Sequence, residues 1–409
     1  MVLTNARVID GTGRAPIERA TVRIDGSRIV DVVAGEGPPS DTSIDLGGRT
    51  LMPGMIDAHA HLSSDISRSP GFGPPPALKG ELPRPRELGY FVLAKTARVL
   101  LSAGVTTVRD VGSYDDEAIA LREAVRLGIV DGPRILSCGR IISATAPGGA
   151  IFTTMYREAD GPDDMRKAVR EQLRRGADFI KLMATGARSV LAEDPEPAQM
   201  TAAELAAIVD EAHRLGFRVA AHVEGLSGAR LAVQEGVDTV EHGLSMHREP
   251  ALLDAMARNG IVLVPTLSTF HDLAERFTGA FAPALVEQAK RQLEEAYSTL
   301  VAARSAGVTM AMGHDSGPPG DNAIELVRMV EGGLSPLEGI AAATHGSARA
   351  LGLPDVGTVA AGAVADLLVL DEDPVADIRV LHRPEHISMV IQAGEIVASR
   401  PASAVPAPA

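Results

Sequence analysis

Five short stretches of the chain carry residue types that bind metal ions or move protons. The first, Asp57-Ala58-His59-Ala60-His61, ends an apolar run. On an extended strand side chains alternate, so His59 and His61 face the same way, with Asp57 one step earlier on that face. Two imidazoles so placed can grip one cation. Ala220-Ala221-His222, Val240-Glu241-His242 and Met312-Gly313-His314-Asp315 each end an apolar run in the same manner. Imidazole and carboxylate donors suit Zn²⁺, and also accommodate Mn²⁺, Fe²⁺ or Co²⁺. The fifth stretch places Lys181 inside Phe179-Ile180-Lys181-Leu182-Met183. Desolvation there lowers the lysine pKa and favours the neutral amine, which can add carbon dioxide. The carbamate so formed is anionic and bidentate, able to bridge two cations. The alternative is a lysine that snorkels to a carboxylate at the rim of the fold.

These residues need strands that end at one place. The apolar runs 51–58, 106–110, 134–137, 179–183, 218–222, 239–242, 261–265 and 309–315 read as parallel strands, interleaved with helical stretches at 87–103, 163–175, 202–215, 228–235 and 285–306. Eight such units predict an α/β fold, a (β/α)₈ TIM-type barrel, whose active sites lie where the strands end. A doubly wound sheet competes, but no Gly-x-Gly-x-x-Gly turn opens a helix. The first fifty residues hold short β runs at 2–8, 20–24, 29–33 and 43–46, and the last fifty repeat that character. Neither part is long enough for its own core, so both ends are expected in one small β-sandwich domain. The expected division is 1–52 and 356–400 for the sandwich, 53–355 for the barrel and 401–409 for a Pro/Ala-rich tail. Residues 67–86, dense in Pro and Gly, read as a long loop after the first barrel strand.

A net charge of −14 without a dense basic run argues against nucleic acid and anionic membranes as partners. The start lacks a signal-like pattern and no apolar run reaches about 18 residues; a cytoplasmic location is expected. The single cysteine, Cys138, excludes an internal disulfide and a cysteine-based zinc site. Any metal must therefore sit on histidine and carboxylate.

Three segments together resemble the amidohydrolase superfamily: Asn5-Ala6-Arg7-Val8-Ile9-Asp10, Pro53-Gly54-Met55-Ile56-Asp57-Ala58-His59-Ala60-His61, and the closing run from Gly357 to Asp371. Ile180-Lys181-Leu182-Met183-Ala184-Thr185-Gly186 is similar to the binuclear branch with a carboxylated lysine, near the Xaa-Pro dipeptidases, imidazolonepropionase-like enzymes and ochratoxin-hydrolysing amidohydrolases. The resemblance implies two divalent cations, Zn²⁺ foremost. His59, His61 and Asp315 would bind one, His222 and His242 the other, and Lys181, as its carbon dioxide carbamate, would bridge them. It implies a metal-bridging hydroxide as nucleophile, with Asp315 as the catalytic group that takes its proton and returns it to the leaving amine.

The chain departs from that pattern in two places. Such relatives carry His or Tyr two residues after the fifth-strand histidine, aimed at the developing oxyanion, whereas this chain has Glu224. Glu224 could be protonated, could leave the oxyanion to the metal, or could bind a cationic part of the substrate. The glycine-rich loop 142–150 lacks the histidine of dipeptidase-like relatives, which argues against Xaa-Pro substrates. Arg188 could supply a fork for a substrate carboxylate or could be a solvated loop arginine. His247 and His271 follow the sixth and seventh strands, within reach of a substrate. His314 is expected to face away from Asp315. His213, His382 and His386 read as surface or packing residues, and His345 and Cys138 are given no catalytic role.

The expected activity is metal-dependent hydrolysis of an amide-type C–N bond in a dipeptide, N-acyl amino acid, cyclic amide or related small molecule. The same centre would also support ester, lactone or organophosphate hydrolysis. A noncatalytic barrel acting as an interaction module is the reading from another class, and the complete ligand set argues against it. Association into a homo-oligomer is compatible with the sequence.

Overall fold

Apolar and polar residues alternate along Ile17–Asp25, and in the computed structural model of the chain this run is a strand whose inner residues Ala20, Val22 and Ile24 are buried. The structure describes residues 1–35, 37, 43–62, 87–315 and 317–400. The Pro/Gly-rich stretch 67–86 and the tail 401–409 lie outside the described residues.

Val2–Val8 pairs antiparallel with Ile17–Asp25, which pairs with Arg28–Ala34. On its other side Val2–Val8 runs parallel to Ser43–Asp45 and Thr50–Pro53. Thr50–Pro53 takes Leu367–Leu370 as its antiparallel neighbour, and Ile387–Gln392 and Glu395–Ser399 follow. Both chain ends thus share one eight-stranded sheet. Leu367–Leu370 is apolar throughout because both its faces are covered. Leu367 and Val369 pack with Leu3, Val8 and Leu51, while Leu368 and Leu370 pack with Met52 and Leu100.

Between the ends the chain alternates strand and helix in an α/β arrangement. Met55–Ala60, Val105–Asp110 and Arg134–Ser137 form one parallel set. Tyr156–Glu158, Ile141–Ser143, Ile180–Met183, Val219–Val223, Thr239–His242 and Val262–Val264 form another, parallel in that spatial order. The backbone N–H of Asp178 donates to the Ser137 carbonyl at 2.8 Å where the two sets meet. The expected helices are found at Leu88–Ser102, Pro162–Arg175, Ala202–Arg214, Leu226–Glu235 and Pro283–Ser305. A capping box between Thr201 and Glu204 starts Ala202–Arg214, whose buried Leu205, Ile208, Val209 and Ala212 recur at helical spacing. Among the described residues no helix is long and apolar enough to cross a membrane.

Residues 309–315 depart from the expectation of a strand. They make only single bridges, Met310 to Leu263 and Asp315 to Ala60. A left-handed backbone at Asp315, φ 65°, breaks the pleat there. The segment still bonds to the strands on either side, through Ala311 N–H to the Leu263 carbonyl at 2.9 Å and Ala58 N–H to the Met312 carbonyl at 2.8 Å, and is also pinned from behind, because the Met312 N–H donates to the Ala342 carbonyl at 3.1 Å and to Ser347 Oγ at 3.1 Å. Gly346 permits that approach: a Cβ on it would lie 2.1 Å from the Met310 carbonyl oxygen. Gly346→Ala should therefore destabilise the protein by about 1–3 kcal/mol through backbone displacement, read as a lower denaturant midpoint at unchanged slope; an unaltered midpoint would show that the segment is not held there.

Candidate metal centre

The centre is built on a buried chain of charges that the parallel strands bring together. Glu241 accepts from Arg109 Nη2 at 2.8 Å, and its other oxygen lies 2.6 Å from His59 Nδ1. Thr239 Oγ1 donates to the oxygen that Arg109 also holds. Arg109 reaches on to the Ala58 carbonyl at 2.5 Å and Thr239 Oγ1 at 3.2 Å. Burial alone would raise the Glu241 carboxyl; Arg109, the His59 hydrogen bond and Lys181 outweigh it and hold the group below the usual carboxylate range. Glu241 therefore accepts a hydrogen bond from His59 Nδ1–H, which leaves Nε2 with its lone pair.

His61 is oriented in the same way, with Nδ1 2.7 Å from the Gly112 carbonyl. The two Nε2 atoms stand 3.7 and 3.5 Å from Asp315 Oδ1, so His59, His61 and Asp315 converge on one point. Burial raises the Asp315 carboxyl, but His59, Arg188, His61 and Lys181 together bring it down to about 2. A second group consists of His222, Glu224 and His242, whose ligand atoms lie within 4.8 Å of one another. His242 Nε2 faces His222 Nδ1 at 2.9 Å, and His242 Nδ1 rests 2.7 Å from Thr266 Oγ1. Burial drives both imidazoles toward the neutral form, the form that ligates metals.

Lys181 lines the same pocket as both groups. It is 2% exposed, and Nζ has no hydrogen-bond partner among the described residues. Burial lowers its pKa to about 8. A buried amine without a partner is costly unless something completes it, and a carbamate bound to cations on either side would do so. The donor set and this orphaned amine fit a two-cation site.

Asp57 shares the face of the two histidines but does not join them. Its oxygens accept from the His59 N–H at 3.0 Å, the His314 N–H at 3.3 Å and Asn322 Nδ2 at 2.6 Å, which clamps the first strand to the segment bearing Asp315. The apolar lining of the pocket is Ile141, Phe152, Met155, Tyr156, Met183 and Ala187, together with Leu273 and Phe281.

Residues 50–397 match the amidohydrolase family. The chain belongs to the amidohydrolase family. As a member it is a hydrolase acting on C–N bonds. It is 33% identical to ochratoxinase of Aspergillus niger over 379 residues, covering 85% of this chain and 75% of that protein. It is 28% identical to imidazolonepropionase of Paracoccus denitrificans, with 94% and 96% of the chains covered. Its fold is similar to the crystal structure of a Xaa-Pro dipeptidase with bound methionine, at TM-score 0.86 and 30% identity over 97% of this chain and 98% of that one.

Not every residue singled out from the sequence lies at this amidohydrolase pocket. His247 is turned toward Thr299 (Nδ1–Oγ1 3.3 Å) and Glu295 (Nε2–Oε2 3.6 Å), and His271 lies between Glu275 (2.9 Å) and the Tyr297 hydroxyl (2.8 Å). Neither lines the cavity: Pro283–Ser305 packs against both loops and takes up their imidazoles. Glu224 and Arg188 do line it, paired with each other rather than left free. His314 is buried and does not line it, and Cys138 is buried against Val111 and Phe179 with its thiol pushed up. Sequence reading missed Glu241 as an orienting group and Arg109 altogether, although an arginine inside Val105–Asp110 was a visible signal. Glu241→Gln should lower metal affinity about 10–100-fold, measured by titration of the metal-stripped protein; unchanged affinity would mean that the His59 contact does not orient a ligand.

Proposed function

We propose that the protein hydrolyses an amide-type C–N bond in a small substrate with an apolar or aromatic group beside the scissile carbonyl. The observation that carries this is the convergence of two ligand groups and an orphaned buried lysine on one largely apolar pocket. His59, His61 and Asp315 would hold one divalent cation, His222 and His242 a second, and Lys181 as its carbamate would bridge them, with Zn²⁺ the preferred metal. Such cations polarise a carbonyl and bring the pKa of a water toward neutrality.

The protein's own groups do the rest. Asp315 takes the proton of the attacking water and passes it to the leaving nitrogen as the C–N bond breaks, giving a carboxylic acid and an amine. Glu241 and Gly112 hold the two imidazoles in the required tautomer. The Phe152, Met155 and Tyr156 wall excludes water around the apolar part of the substrate. Closure of the parallel strands into an eight-stranded barrel over 53–355 is supported by the Asp178–Ser137 bond at one seam and the Met310 and Asp315 bridges at the other. Residues 1–52 and 356–400 would form the flanking β-sandwich domain.

Protein purified with bicarbonate and without chelator should carry about two divalent ions per chain, and Lys181→Ala should lose both the bridge and turnover; one ion or none, unchanged by that substitution, would refute the bridged site. N-benzoyl-L-phenylalanine and its C-terminal amide serve as first probes. Asp315→Asn should reduce turnover of whichever is cleaved by about 10²–10⁴-fold with the fold retained. Near-normal activity would remove Asp315 as proton carrier.

A further inference from the structure

Arg188 is 7% exposed and lines the pocket, and its guanidinium spans the two ligand groups. Nη1 donates to Glu224 Oε1, an oxygen that lies 3.4 Å from His222 Nε2 in the second group. Nη2 donates to Asp315 Oδ2 in the first group at 3.2 Å and to Thr269 Oγ1 at 3.1 Å. The guanidinium therefore lies beside both groups. The guanidinium is also fixed. Phe270 lies under it with the ring centroid 4.3 Å away, and the Arg188 backbone N–H donates to Glu224 Oε2 at 3.1 Å, so one carboxylate holds both ends of the residue. Gln292 Nε2 at 3.3 Å and the Thr185 hydroxyl, which accepts from the Glu224 N–H at 3.0 Å, hold Glu224 in turn.

This leaves donors unused. A guanidinium has more N–H groups than these side-chain contacts take up, and Arg188 Nε is buried with no partner among the described residues. A fixed cation with N–H groups to spare stabilises negative charge that develops beside it. During amide hydrolysis that charge gathers on the scissile carbonyl oxygen.

We propose that Arg188 is a catalytic residue that donates a hydrogen bond to the scissile carbonyl oxygen as it becomes negative, and that Glu224 is the positioning residue that holds the guanidinium in place. This rests on the amide-hydrolase reading above. When hydroxide adds to the carbonyl carbon, the C=O π pair moves to oxygen and Arg188 stabilises it without giving up its proton. The pair returns as the C–N bond breaks and Asp315 delivers the proton to nitrogen. Glu224, an acceptor only when ionised, acts through Arg188.

The test is steady-state kinetics with N-benzoyl-L-phenylalanine and its C-terminal amide, which has no carboxylate, together with metal content. Wild-type turnover of neither probe would refute the functional reading and this proposal with it. If wild type is active, Arg188→Met should lower kcat by about 10²–10³-fold with KM altered less than about threefold and metal content unchanged. Arg188→Lys should recover part of kcat. Glu224→Gln, which still offers one acceptor, should lose less than Arg188→Met. The double variant Arg188→Met/Glu224→Gln removes both buried charges and remains informative if Arg188→Met alone does not fold; it should be as inactive as Arg188→Met. Three results would overturn the proposal while leaving amide hydrolysis standing: a rise in KM at constant kcat confined to the acid probe, which makes Arg188 a carboxylate anchor; recovery of activity in the double variant, which makes the pair merely structural; or loss of an ion in Glu224→Gln, which makes Glu224 a metal ligand.

Discussion

Glu241 has no exposure to water, and Arg109, His59 and Lys181 keep its carboxylate charged while Arg109, Thr239 and His59 occupy its oxygens. That contact set joins Met55–Ala60, Val105–Asp110 and Thr239–His242 across the interior. Removing one partner of such a buried pair costs about 3–5 kcal/mol, far more than an exposed pair contributes. It also holds the His59 ring, so the group that ties the strands together orients the imidazole that faces Asp315. The site and the fold share one set of interactions.

Around that centre the strand ends abandon regular geometry. His242, Thr266 and Asp315 all have left-handed backbones, with φ of 67°, 49° and 65°. Each such residue costs on the order of 1–2 kcal/mol relative to an ordinary conformation. The consequence is visible at Glu241 and His242: adjacent residues of one strand both serve the centre, Glu241 by holding His59 and His242 by facing His222. Regular alternation would have sent them to opposite faces. The cost is offset locally by Thr266 on His242 Nδ1, and by the Asp315 N–H donating to the His59 carbonyl at 2.6 Å.

The same geometry explains which parts were legible in the sequence. His59 lies on Met55–Ala60 and His61 directly after its end, and period two was sufficient to place them together; apolar runs located most of the parallel strands and the principal helices. Lys181 was legible as a charge in an apolar run. Residues 309–315 were read as a strand from their composition, yet the turn at Asp315 depends on contacts with residues far along the chain. His247 and His271 looked like pocket residues because they follow strands; the tertiary position of Pro283–Ser305 brings Thr299 and Glu295 to His247 and Tyr297 to His271, whose other partner, Glu275, is local. The pairing of Arg188 with Glu224, 36 residues apart, was likewise invisible to local pattern, and each was considered separately as a contact to substrate.

The pocket concentrates buried charge, and Lys181 is the group whose amine is left without a partner among the described residues. The most direct test is ¹³C NMR of the active, metal-loaded protein equilibrated with ¹³C-bicarbonate, alongside Lys181→Ala. A carbamate carbon signal at about one per chain, absent from the variant, is the predicted result. An active enzyme with full metal content and no such signal would contradict a carbamate on Lys181 and leave its buried amine with another role.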